Sequence, residues 1–234
     1  MSNPHSMTEN PGGEFLLPQY KVSEKIQAIK AYVFDWDGVF NDGVKQANGS
    51  STFNEIDSMG TNLMRYAHFI RNKKVPLTAI ISGEKNDTAF FFAKRECFHG
   101  SYSKFKEKKI ALQHFCETHD IKPSEICFFF DDVLDLSVAA LAGLRIFVPR
   151  RATVNLTQYV KQNHLADYIT GAQSGGFAVR EACEMLIAAN GLYDQVITSR
   201  MNYDDNYTQY IGARNSTATQ FFTLSNDQVS QMEL

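Results

Sequence analysis

The sequence predicts an α/β fold, a doubly wound parallel sheet in three layers with helices on both faces. Three observations predict it. Short apolar runs rich in aromatic and β-branched residues recur along the chain, each long enough for a covered strand and too short for a helix. Stretches with apolar residues at three- and four-residue spacing fill the intervals, so strand and helix alternate. Polar and turn-forming residues stand just after the runs, where open sheets of this kind place their ligands.

The elements follow in order. Residues 1–25 are polar and punctuated by Pro4, Pro11, Gly12, Gly13 and Pro18, and read as a flexible leader. Residues 26–192 read as one domain, with strands expected over 31–34, 77–81, 126–130 and 144–148. Shorter strands are expected near Cys97-Phe98 and Tyr168-Ile169. Helices are expected over 61–71, 86–95, 107–118, 135–142 and 176–189. Between Val39 and Phe53 the chain alternates weakly and carries Asp42-Gly43 and Asn48-Gly49, which predicts a small β-hairpin flap; no inserted cap domain is visible. Residues 193–234, rich in Asn, Thr, Gln and Ser with no apolar period, read as a disordered tail or as an arm laid on a neighbouring subunit.

Composition bounds the partners. At 234 residues and 44% hydrophobic content the chain suits one well-cored domain. A net charge of −3 with both signs interspersed gives no electrostatic case for nucleic acid or an anionic membrane. Cys97, Cys116, Cys127 and Cys183 form no Cys-x-x-Cys pair and read as reduced thiols, and the six histidines show no ligand spacing. No apolar stretch has signal-peptide or membrane-span length, so a cytoplasmic protein is expected.

The chemistry concentrates at strand ends. Asp35-Trp36-Asp37-Gly38-Val39 follows the run Ala31-Tyr32-Val33-Phe34. Because strand side chains alternate, Asp35 and Asp37 leave the strand on one side and Trp36 on the other, while Gly38 lets the backbone turn away. Two aimed carboxylates can hold Mg²⁺ and attack phosphorus. Ser82 ends the run 77–81 ahead of Gly83, and Phe130-Asp131-Asp132-Val133-Leu134-Asp135 closes the run 126–130 with three carboxylates. An acidic helix start accounts for one of these three, not for all.

These motifs in this order resemble the haloacid dehalogenase superfamily, and more narrowly its capless Kdo 8-phosphate phosphatase-like group, over residues 28–191. The resemblance implies a HAD-like, Rossmannoid fold and an Mg²⁺-dependent phosphomonoesterase acting on a small phosphorylated metabolite. It implies that Asp35 is the nucleophile and becomes an aspartyl phosphate, and that Asp37 protonates the leaving alkoxide and then activates water. Ser82 would hydrogen-bond the phosphoryl group. Lys108, one helix and a turn before Asp131, would neutralise its charge, with Lys104 and Lys106 as surface charges and Lys109 displaced around the helix. Asp35, Asp37 and Asp131 form the implied metal set, Asp132 and Asp135 support it, and Gly38 and Gly83 adjoin the substrate. Gly175-Gly176-Phe177-Ala178-Val179-Arg180-Glu181 resembles the group's Gly-Gly-x-Gly-Ala-Val-Arg-Glu segment without the Gly before Ala, and implies a homotetramer whose neighbouring subunits help close the site.

The resemblance departs in two places. The group's Glu-x-Lys-x-Phe and Arg-Asp-Gly segments are here Gly49-Ser50-Ser51-Thr52-Phe53 and Ile56-Asp57-Ser58, so the cations that would meet a sugar-acid carboxylate are missing and a different specificity is expected. Phe130 stands in place of the Gly before the acidic pair and is expected to narrow the phosphate pocket. The alternatives to a phosphatase are a phosphosugar-binding or regulatory protein with weakened turnover, and a purely structural tetramer. Retained Asp35 and Asp37 argue against the last, because paired carboxylates repel and add nothing to a fold.

Overall fold

The computed structural model describes residues 12–225 and 228–233. Its strands are β1 (Glu14–Phe15), β2 (Ala31–Phe34), β3 (Leu77–Ile81), β4 (Gly100–Ser103), β5 (Ile126–Phe130), β6 (Leu144–Phe147), β7 (Tyr168–Ile169), β8 (Gln220–Ser225) and β9 (Gln228–Met232). They form one sheet in the order β1-β7-β6-β5-β2-β3-β4-β8-β9. From β7 to β8 all neighbours are parallel; only the edge strands β1 and β9 run antiparallel. The helices are α1 (Gln19–Ala28), α2 (Glu55–Asn72), α3 (Asp87–Arg95), α4 (Lys108–His119), α5 (Leu136–Ala139), α6 (Val154–Gln162), α7 (Ala178–Ala189), α8 (Tyr193–Asn202) and α9 (Asp205–Asn215).

Strand alternation sorts the core into two faces. Tyr32, Phe34, Cys127 and Phe129 pack with Val22, Met64, Leu186 and Tyr210 of the layer built from α1, α2, α7 and α9. Ala31, Val33, Phe128 and Phe130 pack with Leu112, Phe115, Val138 and Val160 of the layer built from α4, α5 and α6. Covered strands need no alternation of polarity, which is why β2 and β5 read as unbroken apolar runs. No helix among the described residues is long and apolar enough to cross a membrane.

Several expectations are corrected. The part of the leader from residue 12 onward is ordered: β1 pairs with β7, and α1 buries Val22 and Ile26 against the core while Ser23 Oγ donates to Ala189 O at 2.8 Å. Residues 1–11 lie outside the described residues. The described residues of the segment 193–234 do not read as a disordered tail: α8 and α9 pack on α2, and β8 pairs with β4 of this same chain. Beside apolar anchors such as Val196 and Phe222, Tyr207 and Tyr210 are buried with their polar tips hydrogen-bonded to Asn62 at 2.8 and 3.1 Å, a burial that no period in the sequence marks. The strand expected at Cys97-Phe98 lies further on, at Gly100–Ser103. Cys97 instead ends α3 in a left-handed conformation (φ 52), and the strand itself, Gly-Ser-Tyr-Ser, has no apolar signature. No hairpin strands form over 39–53. Gln46 N donates to Ser50 O at 2.8 Å to close a turn, and the buried Ser51 is claimed by side chains, not by a ladder.

Phe177, where the resembling segment has glycine, takes φ 66. That left-handed backbone costs a side-chain-bearing residue about 1 kcal/mol, which explains why glycine suits the position.

Two histidines, His68 buried and His99 partly buried, make acid stability predictable. Burial, helped by Arg71, pushes His68 down to about 3; burial, helped by Arg65 and His119, does the same to His99, whose Nδ1 accepts from Thr78 N at 3.2 Å. Both rings stay neutral when folded and gain protons when unfolded, so their stabilisation is present above pH 6.5 and is lost as pH falls towards 3. Together they should cost about 4 kcal/mol between pH 7 and pH 5. Urea melts at the two pH values check this, and His68→Phe should remove about half of the difference; an unchanged difference would refute the assignment.

Candidate active site

The parallel register sets the carboxyl ends of β2, β3 and β5 level. Phe34 pairs with Phe129 and with Ile80, Asp35 N donates to Phe129 O at 2.9 Å, and Ser82 N donates to Tyr102 O at 2.8 Å. The residues that follow these strands therefore meet above one edge of the sheet. There a cavity of about 260 Å³ is lined by Asp35, Asp37, Ser82, Gly83, Glu84, Lys108, Asp132, Leu134, Asp135 and Arg150.

At its floor, Asp35, Asp131 and Asp135 are all buried, and one carboxylate oxygen from each lies within 4.8 Å of the others. Lys108, carried in by the first turn of α4, places Nζ 2.6 Å from Asp35 Oδ1 and 2.6 Å from Asp135 Oδ1. Its neighbour Lys109 is exposed on the same helix. Burial works to lower the Lys108 ammonium, but the two carboxylates outweigh it and hold it above the ordinary lysine range. Burial and the nearby Asp35 push Asp131 up to about 9 and Asp135 up to about 7. Three buried carboxylates against the Lys108 ammonium and the partly exposed Arg150 guanidinium still leave an excess of negative charge, and a divalent cation is the group that would relieve it.

Asp131 carries this furthest. Its side chain is wholly buried, and neither oxygen receives a hydrogen bond. Arg150 Nη2 meets Oδ2 in an ion pair without hydrogen-bond geometry, and Nη1 lies 3.4 Å from Asp132 Oδ2. A buried carboxylate with an ion-pair partner but no hydrogen-bond donor, in an oxygen-only cluster, fits Mg²⁺. Gly38, at φ 91, is required here because a side-chain carbon would collide with both Arg150 and Asp131.

Asp37 lies apart from the acidic cluster. Its Oδ2 is 2.5 Å from Lys45 Nζ, and Ser51 Oγ donates to its Oδ1. The Asp37 carboxylate thus meets two local partners rather than the cluster, and the third carboxylate close to Asp35 and Asp131 is that of Asp135. Asp132 sits half exposed at the rim, where its Oδ1 accepts from Val133 N at 2.7 Å. Ser82 is buried beside Gly83. Phe130 does not narrow the cavity. Its ring points to the same sheet face as Val33 but packs inside that layer, stacking with Phe128 and tilting against Phe147, and it is not among the residues that line the cavity. Sequence reasoning missed Arg150, Lys45 and Asn86, which come from loops where no period or strand end marks them.

No model of a known protein family matches the chain. It is 29% identical over 182 residues to the 3-deoxy-D-manno-octulosonate 8-phosphate phosphatase of Salmonella typhimurium, covering 74% of this chain and 87% of that protein. The Escherichia coli phosphatase of the same name is 27% identical over the same span. The relatives of this chain are phosphatases of the haloacid dehalogenase superfamily. The superfamily likeness extends to solved structures. A probable YrbI family phosphatase from Pseudomonas syringae matches with a TM-score of 0.64 at 29% identity, over 77% of this chain and 97% of its own. The phosphatase from Moraxella catarrhalis, solved with magnesium, phosphate and KDO, matches with a TM-score of 0.63 at 26% identity, over 77% and 98%.

Proposed function

We propose that this chain is a Mg²⁺-dependent phosphomonoester hydrolase working through an aspartyl phosphate, on a small phosphorylated sugar or sugar acid. The observation that carries the reading is the buried Lys108–Asp35 pair set within the Asp35, Asp131, Asp135 cluster at the strand ends. A carboxylate held beside an ammonium is a positioned nucleophile next to a positioned counter-charge.

Asp35 attacks phosphorus while the ester P–O bond breaks, and Asp37 gives a proton to the departing oxygen. Asp37 then takes a proton from water, whose oxygen attacks the phosphorus and frees Asp35. Lys108 and the Ser82 hydroxyl hold the phosphoryl oxygens, and Gly38 and Gly83 let main chain approach them. Asp35, Asp131 and Asp135 would hold Mg²⁺, which supplies Lewis-acid stabilisation of charge on those oxygens. The substrate preference differs from that of the named relatives, because Ser51, where the resemblance has lysine, is buried and offers the substrate no cation. Exposed Val133 and Leu134 at the open mouth fit coverage by a neighbouring copy, and the assembly in this reading is a homotetramer.

Phosphate release from sugar phosphates, sugar-acid phosphates and nucleotides, with Mg²⁺ and with a chelator, tests the reading. Release that needs Mg²⁺ is expected, with chelation lowering it at least ~100-fold. A folded, Mg²⁺-binding protein that releases phosphate from none of them would instead be a phosphosugar-binding protein.

A further inference from the structure

Ser51 is wholly buried, and three polar side chains converge on its hydroxyl. Trp36 Nε1 donates to it at 3.0 Å and Asn86 Nδ2 donates to it at 2.7 Å. The indole nitrogen can only donate. The Asn86 amide is equally fixed in direction, because its Oδ1 accepts from Thr88 N at 3.1 Å and Ala89 N at 3.2 Å as the N-cap of α3. Two incoming donors use both lone pairs of the Ser51 oxygen. Its one proton is left for the third neighbour, and the hydroxyl donates to Asp37 Oδ1.

We propose that Ser51 is a positioning residue for Asp37: the Trp36–Asn86–Ser51 network fixes Oδ1 as an acceptor, so the proton Asp37 gives to the leaving group rides on Oδ2. This rests on the reading of Asp37 as the acid. Oδ2 here accepts from Lys45 Nζ at 2.5 Å, so it takes up its proton only as that side chain, about two-fifths exposed, gives way to the substrate oxygen. As the bond from Asp35 to phosphorus forms and the ester P–O bond breaks, the electron pair stays on the leaving oxygen and takes the Oδ2 proton. Asp37 is left as a carboxylate whose Oδ1 still holds the Ser51 hydroxyl. In the second half, water forms its bond to phosphorus as the Asp35 bond breaks, and its proton returns to Oδ2. Without the network the carboxyl can turn over, and the proton spends part of its time facing away from the leaving group.

The network is specific to difficult leaving groups. A sugar alkoxide needs the proton in the transition state; an activated aryl oxide does not. Ser51→Ala should therefore lower kcat on a sugar phosphate roughly 10- to 100-fold, change kcat on an aryl phosphate less than about threefold, and leave KM in place. Ser51→Thr, which keeps the hydroxyl, should restore the sugar-phosphate rate. Asn86→Asp keeps the helix-cap acceptor but cannot donate to Ser51, and should lower the same rate ratio. Trp36 is the one tryptophan of the chain, so its indole N–H gives a single resonance in a ¹⁵N spectrum. Asp37→Asn should move that resonance through Ser51 although Asp37 does not touch the indole. Equal losses on both substrates in Ser51→Ala, or an indole signal unmoved by Asp37→Asn, would overturn the proposal. A wild-type protein that releases no phosphate would remove the reaction, while the indole shift would still decide whether the network exists.

Discussion

Asp35→Asn should stop phosphate release, lowering it by about 10⁴-fold or more, with the folded structure retained. The change is isosteric, and Lys108 keeps its second carboxylate, Asp135 Oδ1 at 2.6 Å. An amide oxygen is a poor nucleophile, so a covalent route ends there even when binding and charge stabilisation survive. Asp131 and Asp135 remain to hold the metal, so Mg²⁺ binding measured by calorimetry should weaken without vanishing. The decisive comparison is initial phosphate release against circular dichroism of the same preparation. A folded Asn variant working near the native rate would remove Asp35 from the reaction.

Lys108→Met should be the second most damaging change, and it separates charge from packing. The side chain is 3% exposed, and methionine fills a similar volume. What disappears is the one ammonium that Asp35 and Asp135 share. Losing a positioned cation at a phosphoryl site costs roughly 10²- to 10³-fold in kcat. Leaving two carboxylates buried without it costs about 3 kcal/mol of folding stability, the usual scale for breaking a buried ion pair from one side. Both effects share one remedy. A divalent cation binding the folded state should raise the melting temperature of Lys108→Met more than that of the wild type, because it replaces the missing charge. Equal shifts in the two proteins would mean that Lys108 and the metal position are not neighbours in charge.

The parts legible in the sequence are those where a local pattern carries the information. Ala31 to Phe34 and Ile126 to Phe130 are buried on both faces, so their apolar runs announce central strands, and the next residue of each, Asp35 and Asp131, falls at the site without any knowledge of the fold. Lys108 was legible through the resemblance, whose interval before Asp131 it fits. Arg150, Lys45, Ser51 and Asn86 were not, because each acts from a loop whose path is decided by tertiary packing. The strand β4 was misplaced because its burial comes from its neighbours β3 and β8, not from apolar side chains. Phe130 was misjudged for a simpler reason: its ring is taken up by its neighbours Phe128 and Phe147 within the layer and does not reach the cavity.

The sheet's own arrangement bears on how the protein comes to be folded. The strands that carry the site lie in the middle, between residues 31 and 130, whereas the edge on the β4 side is closed by residues 220–232. Gly100 must wait for Gln220 as its partner. During synthesis the central strands can pair while that edge still presents open backbone groups, a state that invites pairing with another nascent chain. The contact that ends this exposure is among the most distant in sequence, so edge closure rather than assembly of the site should set the pace of folding.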